Sequence, residues 1–397
     1  MAGKTNSGVK SRARIQTGSG VRKKGRTVRY FDYSLFAVMI FLICFGLVML
    51  YSTSSYEAQT KFGDGMYYLK RQAAISAGGI LVMLFVSRMN YRKYAKYSPW
   101  LFALAMVLMG LVRFSPLGME VYGSRRWLNI GGQSLQPSEV MKIAVILFIP
   151  YLICKMGKKM YTWKGRLTVL AWGAVAAFGV YYLTDNLSTA IIVLGIACIM
   201  IFIVDSKTKL YLGLAGGGIV LAVAGSYALG RVLENSTNFR LRRILAWLNP
   251  EAYASSGAFQ TLQGLYAIGS GGFFGKGLGN SAQKMVIPEA QNDYILAVIC
   301  EELGVFGAIM VLLVFGLLLY RLLFIAQNAS DMYGSLIVTG IFAHIALQVL
   351  LNVMVVLNVI PTTGITLPFI SYGGTSVLFL MIEMGVALGV SRKIEIE

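Results

Sequence analysis

The chain has 397 residues, of which 56% are hydrophobic and only 13% charged, with a mean hydropathy of +0.66. A soluble domain carries roughly 25% charged residues, so the composition excludes a water-soluble enzyme. The net charge of +19 would suit a nucleic-acid binder, but no folded basic module with interleaved aromatics accompanies it, and no nucleic-acid partner is expected.

Much of the positive charge sits in the first 31 residues, which hold Lys4, Lys10, Arg12, Arg14, Arg22, Lys23, Lys24, Arg26 and Arg29 and no acid. The segment is also rich in Gly, Ser and Thr and has few apolar residues, so residues 1–31 are expected to be a disordered basic tail. A basic tail before an apolar span marks the cytoplasmic side and attracts anionic lipids. The apolar run that follows is too long for a signal-peptide core and lacks a small-x-small cleavage site, so it is read as a retained anchor.

Apolar windows of about 20 residues, enough to cross ~30 Å of hydrocarbon, predict spans near 32–53, 72–87, 98–114, 136–154, 167–184, 187–204, 210–229, 294–320, 334–357 and 374–391. Backbone in lipid must satisfy its own hydrogen bonds, so these are helices, and the alternation of a membrane barrel is absent. The expected fold is therefore an all-α polytopic membrane protein of about ten transmembrane helices occupying residues 32–397. Arg88, Arg92, Lys93 and Lys96, then Lys155 to Arg166, Lys207 and Lys209, Arg321, and Arg392 with Lys393 all fall on the tail's side if there are ten crossings. Lys70 and Arg71 oppose the rule but are outnumbered. Both termini are thus predicted to be cytoplasmic, with a large extracytoplasmic loop, 230–293, between helices 7 and 8. Cys44, Cys154, Cys198 and Cys300 are far apart and read as packing residues. The single His344 has no second His to complete a metal site.

Three outer loops stand out, at 115–135, 230–293 and 358–373, because a passive anchor needs none of them. The first carries Arg125, Arg126 and Trp127. Just after it, Glu139 and Lys142 share a helix face at i, i+3, either as a self-neutralising pair or as a functional one. The long loop holds Arg231, Arg240, Arg242, Arg243, Lys276 and Lys284. Its Gly269–Gly279 stretch fails the phosphate-loop pattern, since Ser270 lies where the first glycine belongs and Gly277 follows Lys276. The glycines suit a turn that approaches another helix closely, although their N–H groups could also bind anionic oxygens.

Asn292 is a good N-cap, which would put Asp293 in the first turn of span eight, where capping alone would explain it. Glu301 and Glu302 follow inside the same apolar helix, where a carboxylate costs ~3 kcal/mol and usually lines a cavity or meets a partner. At about 100° per residue Glu301 lies about 80° round from Asp293 and Glu302 lies opposite, so Glu301 is expected to share Asp293's cavity. For Asp185, Asn186, Glu383, Gln348 and Asn352, packing or helix–helix hydrogen bonds are expected. Together these residues describe a polar cavity open to the outer face, suited to an anionic, partly lipidic substrate. The residues alone leave a transporter and a lipid-handling enzyme both open.

Six motifs then carry a resemblance. Arg125-Arg126-Trp127-Leu128-Asn129-Ile130-Gly131, Gln136-Pro137-Ser138-Glu139-x-x-Lys142, Gly271-Gly272-x-x-Gly275-x-Gly277-Leu278-Gly279, Pro288-Glu289-Ala290-Gln291-Asn292-Asp293, Glu301-Glu302-Leu303-Gly304 and Pro361-x-Thr363-Gly364 through Ser371-Tyr372-Gly373-Gly374 resemble the SEDS proteins, in order, from the first span to the C-terminus. The wording is closer to the FtsW/SpoVE branch than to RodA. The resemblance implies a peptidoglycan glycosyltransferase that polymerises lipid II at the outer face of the bacterial cytoplasmic membrane, at the division septum. It also implies a class B penicillin-binding protein and other divisome membrane proteins as partners. A lipid II flippase and a non-enzymatic divisome scaffold are the alternatives.

The family's essential acid maps onto Asp293, within a tetrad that reads Gln291-Asn292-Asp293-Tyr294 here. Gln replaces the family's His, so a His proton role at 291 is excluded. The family's Pro-Asp-Leu-Gly-Thr acid is Asn186 here, which puts a charge role in doubt. Asp293 is the expected catalytic base. Arg243, Arg240, Lys142 with Glu139, Arg126, Trp127, Glu301, Lys276 and Ser371 are the expected substrate contacts. No protein metal site and no certain cofactor are expected, with a divalent cation (Mg or Mn) a candidate for neutralising the diphosphate.

Overall fold

A computed structural model describes residues 28–121, 124–131, 133–205, 239–255 and 257–396, with scattered positions between 209 and 225. Residues 1–27 of the expected tail and most of the seventh expected span, 210–229, lie outside the described residues; residues 28–31, expected to be disordered, are described, with Val28–Arg29 in a strand. Apolar helices run at α1 (Tyr33–Phe62), α2 (Tyr67–Arg88), α3 (Arg92–Phe114), α4 (Pro137–Met156), α5 (Trp163–Thr184) and α6 (Leu187–Val204). After the gap come two shorter helices, α7 (Phe239–Leu248) and α8 (Phe259–Gly271). Then follow α9 (Ile295–Gln327), α10 (Met332–Val356) and α11 (Thr375–Ser391). Eight of these are long and apolar enough to cross a membrane, and the 17-residue α11 is shorter but apolar. The fold is a polytopic membrane bundle.

The helices sort by burial. In α4 and α10, 61% and 67% of the apolar window is buried, against 22% in α2 and 28% in α3. The first two therefore form the centre, and α2 and α3 lie at the margin. The margin is lined with large exposed apolar side chains, including Leu81, Phe85, Trp100 and Phe178. On a soluble protein such a belt would aggregate; here it faces hydrocarbon. Cys44, Cys154 and Cys198 are exposed on these surfaces, Cys300 is buried, and all four are unbridged.

Ion pairs tie together the loops that the positive-inside pattern places on one side. Asp32 caps α1 by accepting from Leu35 N–H at 2.8 Å, and it binds Arg321 at the far end of α9 at 2.7 Å. Arg92 at the start of α3 reaches Asp331, the cap of α10, at 2.7 Å. Arg166 on α5 meets Asp205 after α6 at 2.7 Å. Strand β1 (Val28–Arg29) pairs antiparallel with the last strand (Glu395–Ile396). The two ends of the described chain thus share one face, as expected of two cytoplasmic termini. On the opposite face Lys70, which opposed the charge rule, is paired with Asp64 at 2.8 Å.

Loop 115–135 is not irregular. It contains β2 (Gly118–Val121), β3 (Ser124–Ile130) and β4 (Gln133–Leu135), an antiparallel sheet in the order β2-β3-β4 with a register shift between Met119 and Glu120. Buried Leu128 anchors it, and Thr375 at the start of α11 donates to Ser134 O at 3.4 Å.

The Asp32–Arg321 pair is the main clamp between the first and ninth helices at this end. Asp32→Ala removes the cap of α1 and leaves Arg321 without its carboxylate. We expect a loss of about 3 kcal/mol, read as a lower melting temperature of the detergent-solubilised protein; an unchanged melt would show that the clamp is not stabilising.

Candidate active site

The ninth helix is two helices. At Gly304 the backbone leaves the helical region (φ 72°, ψ −174°), separating residues 295–303 from 305–327. The break opens the bonds that Val305 and Phe306 N–H would make to Glu301 and Glu302 C=O four residues back. The glycine-rich loop after α8 replaces them with four others. Val305 N–H donates to Gly272 O at 3.0 Å and Phe306 N–H to Phe273 O at 3.0 Å. In return Lys276 N–H donates to Glu301 O at 2.9 Å and Gly277 N–H to Glu302 O at 2.9 Å. The exchange needs backbone contact. A Cβ on Gly275 would stand 2.3 Å from Glu302 O, and one on Gly304 would stand 2.2 Å from Phe273 O. The glycines serve close approach rather than phosphate binding.

This docking decides where Glu301 goes. Its carboxylate is fully buried and takes hydrogen bonds from Lys276 Nζ at 2.7 Å, Ser281 Oγ, Ser270 Oγ at 3.3 Å, and the N–H groups of Ala282 and Gln283 at 3.3 and 3.2 Å. Glu302 accepts from Ser52 Oγ at 2.7 Å and from Lys284 Nζ at 3.3 Å. Both acids therefore hold the loop in place. Among the described residues no hydrogen bond or ion pair joins Glu301 or Lys276 to Asp293. The expectation of a shared cavity took the helix wheel through Asp293, whereas the cap is Tyr294 and Asp293 lies ahead of the helix. Asn292, expected as the cap, instead hydrogen-bonds Glu289.

Asp293 stands just ahead of α9, at the end of the bundle away from the termini, held by its own backbone. Asn352 on α10 donates from one amide to Asp293 O at 2.9 Å and to Ile365 O at 2.8 Å. Gln291, two residues earlier, donates to Glu57 on α1 at 2.9 Å, while its C=O accepts from Tyr372 N–H at 2.9 Å. On α8, Thr261 Oγ1 lies 3.1 Å from Tyr294 OH, and Gly264 sits so close that a Cβ would be 2.8 Å from the Tyr294 ring.

The loop between α10 and α11 closes over this carboxylate. Arg243 on α7 donates to Thr362 O at 3.3 Å, Trp247 to Asn358 O at 3.0 Å, Ser188 on α6 to Thr363 O at 2.8 Å and Gln348 to Thr366 O at 3.0 Å. Gly364, with φ 69°, is the point nearest the acid: a Cβ there would be 4.0 Å from Asp293 Oδ2. Desolvation raises the Asp293 carboxyl to about 6. Its own backbone N–H and the Arg243 charge oppose the rise, and Glu289 adds to it. A carboxylate brought near neutrality and within reach of the Arg243 charge can accept a proton and can neighbour an anion.

The other expected contacts are placed as follows. Glu139 and Lys142 form a 2.9 Å pair on α4, both buried. Arg126 and Trp127 lie on β3 and are partly exposed. Ser371 is buried and uses its hydroxyl to accept from Leu367 N–H at 2.8 Å, so it shapes the closing loop. The Arg240 side chain lies outside the described residues. Asn186 caps α6, accepting from Thr189 N–H at 3.1 Å, and Asp185 pairs with Arg113 at 3.5 Å. His344 hydrogen-bonds Glu383 at 2.7 Å between α10 and α11. Among the described residues no three His, Cys, Asp or Glu side chains gather as metal ligands would. Asn352 is the residue that sequence reading undervalued. Its signal was present as a polar side chain four residues from Gln348 in an apolar helix.

Fold and site together define a multi-pass membrane protein with a carboxylate–guanidinium centre at one mouth of its bundle. A family model described as "Cell cycle protein", FTSW_RODA_SPOVE, matches residues 32–396, and the chain belongs to that family. It is 39% identical over 366 residues to stage V sporulation protein E of Bacillus subtilis, covering 91% of this chain and 97% of that one. It is 33% identical over 371 residues to the "Probable peptidoglycan glycosyltransferase FtsW" of Geobacter metallireducens, covering 93% and 97%. Among solved structures, a chain of a peptidoglycan synthase complex superposes with a TM-score of 0.74 at 24% identity over 91% of this chain and 98% of that one. The rod shape determining protein RodA of Thermus thermophilus does so at 0.61 and 23%, over 92% and 98%.

Breaking the Glu301 cluster should release the loop without touching Asp293. Glu301→Ala leaves Lys276 unpaired beside a buried gap, a cost of about 3 kcal/mol and a roughly hundredfold larger open population. Trypsin cleavage after Lys276 and Lys284 in membrane-embedded protein reads this; unchanged cleavage would mean that the backbone exchange at Gly304 holds the loop alone.

Proposed function

We propose that this chain is a peptidoglycan glycosyltransferase that polymerises lipid II at the outer face of the cytoplasmic membrane, in septal wall synthesis. The observation that carries this reading is Asp293: a carboxylate held by its backbone at the bundle mouth, desolvated, and opposed by Arg243. Relatives over nearly the full chain are named for this activity.

The chemistry needs a base for the acceptor sugar and cations for the leaving group. Asp293 accepts the proton of the acceptor 4-hydroxyl. The freed oxygen bonds to the anomeric carbon of the donor sugar as that carbon's bond to the lipid diphosphate breaks, and the diphosphate departs with the electron pair. A carboxylate with an ordinary pKa near 4 would be a weak base; at about 6 the ionised form still predominates at neutral pH and binds a proton more readily. Arg243 faces the developing diphosphate charge, with Arg240 and Lys142 as further cations and Glu139 orienting Lys142. Arg126, Trp127, Lys276, Glu301 and Ser371 shape or line the approach to the centre. A single base without a second carboxylate at nucleophile spacing inverts the anomeric centre. A class B penicillin-binding protein, working beside other divisome membrane proteins, crosslinks the strands.

Purified protein with its partner transpeptidase should convert labelled lipid II into glycan polymer. Asp293→Asn should lower that rate by about 10²–10⁴-fold while elution and melting stay unchanged. Normal polymerisation by this variant, with lipid II translocation lost instead, would replace the enzyme by a flippase.

The pH profile tests the base separately. Asp293 works when ionised, so rate should be lost as pH falls through about 6. Arg243 opposes the upward shift, so Arg243→Ala should move the acid limb to higher pH as well as slow the reaction. An acid limb that stays in place would detach Arg243 from Asp293.

A further inference from the structure

A second polar cavity lies at the other end of the bundle, remote from Asp293. Its volume is about 720 Å³, and it opens between the start of α1, the end of α2 and the end of α11. Three cations line it, Arg88, Arg392 and Lys393, and no acidic side chain does. Among the described residues none of the three makes an ion pair. Arg392 lies over the Phe31 ring at 4.8 Å, and its Nε is shut from solvent without a hydrogen-bond partner among the described residues. Of the acids at this end, Asp32 is committed to Arg321 and Asp331 to Arg92, while the Glu395 and Glu397 side chains lie outside the described residues.

Complementing helix dipoles would account for a cation at the end of α2 or α11, but not for three converging on one cavity with an unsatisfied guanidinium nitrogen. The remaining wall is apolar. Phe36 and Leu84 lie one to two turns inside the membrane from the cations, and Tyr33 is 74% exposed beside them. A cation cluster above an apolar, lipid-facing wall matches an amphiphile, with anionic oxygens at the rim and hydrocarbon below.

We propose that this cavity binds the phosphate headgroup of an anionic phospholipid from the cytoplasmic leaflet, with an acyl chain lying along Phe36 and Leu84. The occupant bridges α2 to α11 and sits against Phe31, where the basic tail joins α1. The site does not include residues 1–27 and needs none of their charges.

The test uses the full chain in phosphatidylcholine nanodiscs doped with phosphatidylglycerol, with retained lipid counted by native mass spectrometry. Wild type should keep phosphatidylglycerol over phosphatidylcholine. Arg392→Gln should weaken retention about fivefold, and Arg88→Gln with Lys393→Gln should weaken it further by about fivefold each. Deletion of residues 1–27 should leave this retention in place. Melting and lipid II polymerisation of each variant verify folding. Retention lost with the tail but not with the three substitutions would overturn the proposal. So would displacement of the lipid by millimolar inorganic phosphate, which would make the site one for free anions.

Discussion

A helix that breaks inside a membrane must find partners for the backbone groups it releases, because hydrocarbon supplies none. Gly304 sets that condition, and the loop from Gly272 to Gly277 meets it with four backbone hydrogen bonds. The rest of the outer half follows. The loop must lie flat against α9, which forces glycine where backbones touch. Once it is there, Glu301 and Glu302 can be buried, because the loop and α1 bring Lys276, Lys284, Ser281 and Ser52 to them. Two carboxylates that would be costly in lipid become the fasteners of the longest loop.

With α8 and its loop fastened, the short run from Pro288 to Tyr294 is held between fixed neighbours. Asn352 holds the Asp293 carbonyl, Thr261 meets Tyr294 beside it, and Gln291 two residues earlier is tied to Glu57. None of them spends a hydrogen bond on the Asp293 carboxylate. This division of labour suits a base: position comes from the backbone, and basicity comes from desolvation moderated by one guanidinium. The loop between α10 and α11 is the shared surface, receiving side chains from α6, α7 and α10 on its carbonyl oxygens. A shift in any of those helices reaches the site through it.

The two faces of the bundle use different chemistry. At the face of the termini, charged pairs such as Asp32–Arg321, Arg92–Asp331 and Arg166–Asp205 lock helix ends together. At the opposite face buried pairs such as Lys276–Glu301 and Lys284–Glu302 fasten a loop rather than helix ends, and side chains, Arg243 among them, bind loop carbonyls. Ion pairs on the first face join helix ends to one another, whereas those of Glu301 and Glu302 fasten one loop to α9.

The spans were legible because crossing hydrocarbon demands an apolar run of set length, which is a local property, and the K/R pattern gave their direction by the same local logic. Motif wording named the family and singled out Asp293. Other features depended on what packs against what. The sheet at 118–135 was hidden because its strands are short and, among the described side chains, only Leu128 is buried. Asn352 read as a generic helix–helix contact, since its partners lie 59 and 13 residues away. Glu301 was assigned to the site by a wheel that ran through Asp293, although the helix begins after it. The sequence by itself determined that this is a multi-pass membrane protein, because length and hydropathy act residue by residue. Only the tertiary structure decided that Glu301 and Glu302 serve the fold while Asp293, among the described residues, keeps out of the ion pairs, because burial and hydrogen bonding are properties of neighbours that the chain brings together from far apart.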